Sequence, residues 1–325
     1  MNWHATLSLL LHHLVTQRPT QEDTWREWQI QPIAGGWNNL LYRAIPLDRA
    51  NGEASDLAIK FTVRDARDRA GREYNALCAL QQTGLDLAPL PILLDRTGFA
   101  QPVVVQSWLP GEVSDRVPTE DTEWQHWVDH LLAIHSLTPQ NSTIALERGV
   151  ITAYTVQESF ALVAEQLAHI PSDAQPSELK HLYHQMQQTD FPTWAPAPST
   201  LCRVDSNLLN FVRQPNRWRS VDWENSGWGD PAFEIADLIT HVANRAVPQV
   251  RWQWLIDAYA AQSKDAELVL RIQTHRKIRN LWYAVRLYRY LYEMPRGLDQ
   301  RLVALADGWE EDIKAKYKYY LGLLT

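Results

Sequence analysis

The chain has 325 residues, with 31 Lys plus Arg against 38 Asp plus Glu, a formal net charge of −7. With 45 % hydrophobic and 21 % charged residues it has a globular composition, long enough for two lobes around substantial cores. An acidic balance without a Lys/Arg stripe argues against nucleic-acid binding, no apolar run approaches the roughly 20 residues that span a bilayer, and Cys78 and Cys202 are too few for a disulfide scaffold. The expectation is a soluble cytoplasmic protein, since the N-terminus also lacks the basic segment of a signal peptide. Tryptophan is the outlier, at 15 residues against 6 Phe and 3 Met.

In chain order, Thr6 to Val15 reads as an amphipathic helix with Leu7, Leu10, Leu11 and Leu14 on one side. Strand and turn patterns follow from Trp28 to Val63, with strands at 40–45 and 57–63 and a turn signal at Asn51-Gly52. Asp65 is the expected N-cap of a helix that runs to about Gln82 and stops at Gly84. Short strands at 89–94 and 102–105 complete a small antiparallel sheet with one inserted helix. A break at Leu109-Pro110-Gly111 separates it from helical patterns at 123–137, 155–168 and 177–188. After a Pro- and Thr-rich loop at 191–200, strand character returns between Leu208 and Trp223, and the remainder from Phe233 to Leu324 is helical with interruptions near Pro248 and Pro295-Arg296-Gly297. The expected architecture is α+β and bilobal: a β-rich N-lobe over 1–108 and a mainly α-helical C-lobe over 109–325.

Several segments carry chemistry. Asp205 and Asn210 stand in a D-x-x-x-x-N spacing, and Asp222-Trp223-Glu224 follows across a short hairpin. A turn centred on Asn216 places Asn210 opposite Asp222, close enough for an Asn carbonyl and a carboxylate to share one Mg²⁺, with Asp205 at the mouth of the same site. In the first lobe, Leu57-Ala58-Ile59-Lys60 puts Ala58 and Lys60 on one strand face, where a purine can rest on Ala58 while Lys60 reaches its phosphates. Glu73, on the following helix, can hold Lys60 as an ion pair. Gly35-Gly36-Trp37-Asn38-Asn39 forms a glycine turn able to bring backbone N–H groups near phosphates.

The order G-G-x-x-N, Lys60, Glu73, Leu109-Pro110-Gly111, Asp205-x-x-x-x-Asn210, Asp222-Trp223-Glu224 and Gly229-Asp230-Pro231-Ala232 resembles the aminoglycoside phosphotransferase/choline kinase family from about Ile33 to Leu238. These are small-molecule kinases with a protein-kinase-like fold. The resemblance implies an ATP- and Mg²⁺-dependent enzyme that phosphorylates a hydroxyl of a small molecule. Asp205 would accept or orient the substrate hydroxyl, and Asn210 and Asp222 would hold the metal. Gly35, Gly36, Asn38, Ala58, Lys60 and Glu73 would serve the nucleotide, and Ser107 and Leu109 would offer backbone groups to the adenine edge. Asp230 would brace the catalytic loop. No G-x-x-x-x-G-K-[ST] sequence exists, which excludes a P-loop site. One departure stands out: the family has His-Gly or His-Asn before the catalytic Asp, where this chain has Arg203-Val204. A compensated loop substitution, a phosphate or acidic-substrate contact, and a carboxylate pair all fit Arg203, and the alternative function is a weakly active or inactive nucleotide-binding protein.

Other residues have blander readings. His135 is expected at a helix end in a capping or core role, and His181 and His184 on a solvated face. The basic run Arg271, Arg276, Lys277, Arg279, Arg286 and Arg289 suits a polycationic antibiotic poorly and reads as ion-paired surface or as a contact for an anionic substrate. Trp282 and Tyr283 beside it offer a possible ammonium cage, and Trp252, Trp254 and Trp309 are further candidates for substrate recognition.

Overall fold

The stripe Leu7, Leu10, Leu11 and Leu14 is buried along α1 (Trp3–Gln17), which lies over a sheet in the computed structural model. The structure describes residues 3–34, 39–48, 55–299 and 302–325. After α1 come β1 (Asp23–Trp25), β2 (Trp28–Ile33), β3 (Leu40–Pro46), β4 (Leu57–Phe61), α2 (Arg69–Gln82), β5 (Pro91–Asp95) and β6 (Val103–Ser107). The six strands form one antiparallel sheet in the order β1-β2-β3-β4-β6-β5. Strand β4 is therefore interior, and its alternation divides it cleanly. Leu57, Ile59 and Phe61 join the core under α1, so Ala58 and Lys60 point to the opposite face.

Helix α2 begins later than its expected cap. Asp68 is the N-cap, with φ 48° and its carboxylate accepting from the Gly71 N–H at 3.3 Å. Asp65 instead takes the Nε of Arg69 at 2.9 Å. The end of α2 is as expected, with Gly84 at φ 71° just past the C-cap Thr83. The turn signal at Asn51-Gly52 lies outside the described residues.

Beyond Leu109-Pro110-Gly111 the chain forms β7 (Glu112–Val113), α3 (Asp121–His135), α4 (Val156–Ala168), α5 (Ser177–Gln187), β8 (Thr200–Cys202), a 3₁₀ turn (Leu208–Asn210), β9 (Phe211–Gln214), β10 (Arg217–Ser220), β11 (Gly227–Gly229), α6 (Pro231–Thr240), α7 (Gln249–Ala260), α8 (Leu268–Glu293) and α9 (Trp309–Gly322). Strands β7, β9 and β10 make one small sheet, and β8 pairs with β11 in another. Helix α8 is the spine of this part, packed on α4, α6 and α9. Much of the tryptophan goes into the core. Trp124 and Trp127 of α3, Trp218 of β10 and Trp252 of α7 are buried together, with ring centroids 5.2 to 5.7 Å apart. Trp252 is thereby removed from substrate recognition. Among the described residues no helix is long and apolar enough to cross a membrane.

Candidate active site

The Lys60 ammonium, 5 % exposed on β4, is the centre of a buried ionic cluster. Glu73 of α2 accepts from it at 2.8 Å, Asp222 accepts on another side, and Glu224 Oε2 lies 3.1 Å away. Glu224 is held further by the Asn39 amide at 2.6 Å and by Arg69, which also binds Asp65. Burial opposes the lysine's charge, but Asp222, Glu224 and Glu73 outweigh it and hold the Lys60 pKa well above the ordinary value. Burial likewise works against an ionised Glu224, yet Lys60 and Arg69 bring its pKa down to about 2. Asp222 is shifted the other way, upward, by burial and by the neighbouring Glu224 and Asp205 against the pull of Lys60. It is also the member of the cluster open to solvent, with 30 % of its side chain exposed.

Glu73, Asp222 and Glu224 bring one oxygen each within 4.8 Å of one another. Four carboxylates, counting Asp65, stand against Lys60, Arg69 and the more distant Arg67, 3.9 Å from Asp65, so negative charge is in excess. An accessible, oxygen-only donor at Asp222 in such a field fits a hard divalent cation such as Mg²⁺.

The loop carrying Asp205 runs from β8 to the 3₁₀ turn, and its backbone is fixed from α6. Glu234 Oε1 accepts from the N–H groups of Arg203 at 2.8 Å and Val204 at 3.1 Å, while Oε2 meets His135 Nε2 at 2.7 Å. His135 Nδ1 in turn contacts the Tyr259 hydroxyl at 2.8 Å, giving it the core role expected. Bracing the loop is therefore the task of Glu234, not Asp230. Asp230 caps α6 through the Ala232 N–H and holds Arg271 at 2.9 and 3.1 Å.

Val204 and Asp222 both have φ of 64°. That left-handed region suits Gly or Asn and costs a β-branched residue about 1–2 kcal/mol. It explains physically why His-Gly or His-Asn would sit comfortably where this chain has Arg203-Val204. Arg203 itself is turned inward, 1 % exposed, with its guanidinium 4.8 Å above the Phe211 ring and Nη1 without a partner. No carboxylate lies at ion-pair distance from it among the described residues, and its place against Phe211 in the core matches the compensated substitution.

Asp205 has a neighbour that the sequence reading did not single out. His241, at the end of α6, places Nε2 3.7 Å from Asp205 Oδ1. Its Nδ1 accepts from the Ala243 N–H at 3.2 Å, so the proton of the neutral ring is on Nε2, facing Asp205. Burial lowers the His241 pKa to about 4, assisted by Arg203, Arg279 and Arg286 and opposed by Asp237. The Asp205 pKa is raised by burial, with Arg203 opposing.

One expectation is corrected and a second is narrowed. Hairpin β9–β10 pairs Gln214 with Arg217 across a two-residue turn, Pro215-Asn216, so its centre lies half a residue before Asn216. Asn210 consequently faces Val221, whose N–H donates to the Asn210 carbonyl at 2.9 Å, rather than Asp222. In the connection after β6, the Ser107 N–H is engaged by the Leu90 carbonyl at 2.9 Å, and the Trp108 N–H by Asp56 at 2.8 Å. Ser107 therefore has no free N–H for a purine, whereas the Leu109 N–H has no backbone partner among the described residues. Ala58 lies on the Lys60 face of β4 as expected, while Gly35, Gly36 and Asn38 lie outside the described residues.

Residues 29–268 match the model of the phosphotransferase enzyme family, and the chain belongs to that family. No curated protein matches it. Among solved structures, a choline/ethanolamine kinase family protein from Mesorhizobium loti superposes with a TM-score of 0.60 at 17 % identity, covering 98 % of this chain and 99 % of that one. Choline kinase from Cryptosporidium parvum gives 0.64 at 10 % identity over 97 % and 94 %. An amicoumacin kinase in complex with AMP-PNP and Ca²⁺ gives 0.65 at 15 % identity over 98 % and 92 %. Identities this low speak to the fold, which is the bilobal protein-kinase-like one.

Proposed function

We propose that the chain is an ATP- and Mg²⁺-dependent kinase acting in the cytoplasm on a hydroxyl group of a small molecule, its two lobes meeting at 108/109. The observation that carries this reading is the Lys60 cluster, with Asp222 open to solvent and within electrostatic range of Asp205. Lys60, oriented by Glu73, binds the α/β-phosphates in exchange for its contact with Asp222. Ala58 lies under the purine, and the Leu109 N–H is the donor left for its edge. Asp222, with Asn210, would hold Mg²⁺, which when bound offsets the charge of the triphosphate. Asp205 orients the acceptor hydroxyl and takes its proton, with the neutral His241 Nε2–H turned toward its carboxylate at 3.7 Å.

Asp205→Asn is expected to lower turnover of any accepted substrate by at least about 100-fold while nucleotide binding persists. Unchanged turnover would sink the mechanism. The second reading, a nucleotide-binding protein with little or no catalysis, draws on Arg203 with its unpartnered Nη1 and on the strained Val204. Binding of ATP and Mg²⁺ without transfer to a broad panel of alcohols would favour it.

A further inference from the structure

One face of α8 points at the reacting carboxylate. Arg279, Tyr283, Arg286 and Tyr290 recur along it at helical spacing. Tyr283 sets its ring edge-on to His241 at 5.9 Å, and His241 is the neighbour of Asp205. The basic residues of this helix differ sharply in what occupies them. Arg271 is chelated by Asp230 and Asp265, Arg276 meets Gln249, Arg289 meets Glu293, and Arg279 is bound to Asp237. Arg286 has none of this. Its guanidinium lies over Trp282 at 4.9 Å and Tyr290 at 5.1 Å, half-buried, with no carboxylate at ion-pair distance among the described residues.

Ring stacking fixes the plane of a guanidinium and leaves its N–H edge free to grip an oxyanion in two-point fashion. A second guanidinium approaches the same place. Arg67, in the turn before α2, has Asp65 as its one carboxylate at ion-pair distance among the described residues, at 3.9 Å, and Asp65 is closer to Arg69. Arg67 is two residues from Arg69, whose guanidinium binds Glu224 in the Lys60 cluster, so it stands beside the site from the α2 side as Arg286 does from α8. Burial lowers the Arg67 pKa, and the charges of Arg69 and Arg286 lower it further. The ammonium cage considered for Trp282 and Tyr283 is also closed. Trp282 is 2 % exposed, and Arg279 at 3.8 Å and Arg286 at 4.9 Å already sit on its ring.

Resting on the reading of the chain as a small-molecule kinase, we propose that its acceptor is an acidic alcohol whose carboxylate or phosphate ester is held by Arg286 and Arg67 while its hydroxyl meets Asp205. A cationic amino alcohol or aminoglycoside would set its charge against both guanidinium groups. The arrangement selects by repulsion as well as attraction.

Two measurements on the full chain test this. In the first, the protein saturated with AMP-PNP and Mg²⁺ is treated with an arginine-selective dicarbonyl reagent, with inorganic phosphate or acetate added, and modification is mapped by mass spectrometry. Arg286 and Arg67 are expected to be protected by one of these anions at millimolar concentration, while the exposed Arg245 and Arg26 are not. The more effective anion distinguishes a phosphate ester from a carboxylate. No protection by either, or full protection by AMP-PNP alone, overturns the proposal, the latter by making the pair a nucleotide contact.

In the second, hydroxy acids, sugar acids, sugar phosphates, neutral polyols, amino alcohols and aminoglycosides are compared by ADP release. Accepted compounds should carry an anion, and Arg286→Gln should raise their KM about 10- to 100-fold with kcat within about twofold. Lys277→Gln, on the outer face of α8, serves as the control. Efficient turnover of a neutral or cationic acceptor, with KM indifferent to Arg286→Gln, overturns the acceptor assignment but leaves the kinase standing. Failure to bind nucleotide at all, or turnover indifferent to Asp205→Asn, counts against the kinase reading instead.

Discussion

The two ends of α8 present the same side chain in opposite states. Near its start, Arg271 is 1 % exposed and encircled: Asp230, wholly buried, takes two of its donors and Asp265 takes two more. Burial alone would weaken that charge, but the bonds from Asp265 and Asp230 raise the Arg271 pKa instead. About four turns on, Arg286 rests on two aromatic rings, with no carboxylate at ion-pair distance among the described residues. The first arginine ties helices together and the second is available. Residue type and helix are identical, so the difference lies in which carboxylates the fold brings within reach.

The contrast can be broken by substitution. Arg271→Met should have the largest effect, because it leaves Asp230 buried and uncompensated at about 3–5 kcal/mol. Thermal and urea unfolding should both register the loss, and a change below about 1 kcal/mol would mean the cluster is not structural.

A middle-sized effect concerns His275, between the two arginines. Burial, with help from Arg271 and Arg279, lowers its pKa to about 3. The unfolded chain binds this proton near pH 6.5 and the folded chain does not until about pH 3, so stability falls as pH drops through that window. The slope is at most about 1.4 kcal/mol per pH unit for this one ring. His275→Asn should flatten urea-derived stability between pH 6 and pH 4 by close to one proton, and an unaltered slope would remove the ring from the account.

Arg286→Gln should have the smallest effect on folding. It forfeits only two stacking contacts, about 0.5–1 kcal/mol. Loss of several kcal/mol in calorimetry would erase the distinction between the two ends.

Local patterns in the sequence reveal the architecture well. Alternation in Leu57-Ala58-Ile59-Lys60 gives the correct face for the lysine, and Leu109-Pro110-Gly111 marks where sheet gives way to helices. Competition between equivalent signals limits the detail. Asp65 and Asp68 are both good caps, and only the folded turn decides that Asp65 serves Arg69. A two-residue turn at Pro215-Asn216 differs from a centre on Asn216 by half a step, yet that step exchanges Asp222 for Val221 opposite Asn210.

At the site, Glu224 and Asn39 are visible only as parts of motifs, and Arg69 and His241 are not visible as participants. Their partners lie far away along the chain, as in the Asn39–Glu224 and Arg69–Glu224 contacts. Only the close approach of β4, α2 and the segment after β10 reveals them. Arg203 needs the structure for another reason: a compensated substitution, a phosphate or acidic-substrate contact and a carboxylate pair all fit its sequence context, and the fold turns it into the core.

The indole cluster of Trp124, Trp127, Trp218 and Trp252 has an optical consequence. Rings held 5.2 to 5.7 Å apart at fixed tilts couple their electronic transitions, so the C-terminal core should have its own near-ultraviolet circular dichroism band. That band depends on tight packing, whereas the far-ultraviolet signal of the helices does not. Loosening of this core should therefore extinguish it while helical content persists, giving the helical part of the molecule a spectroscopic reporter that needs no label.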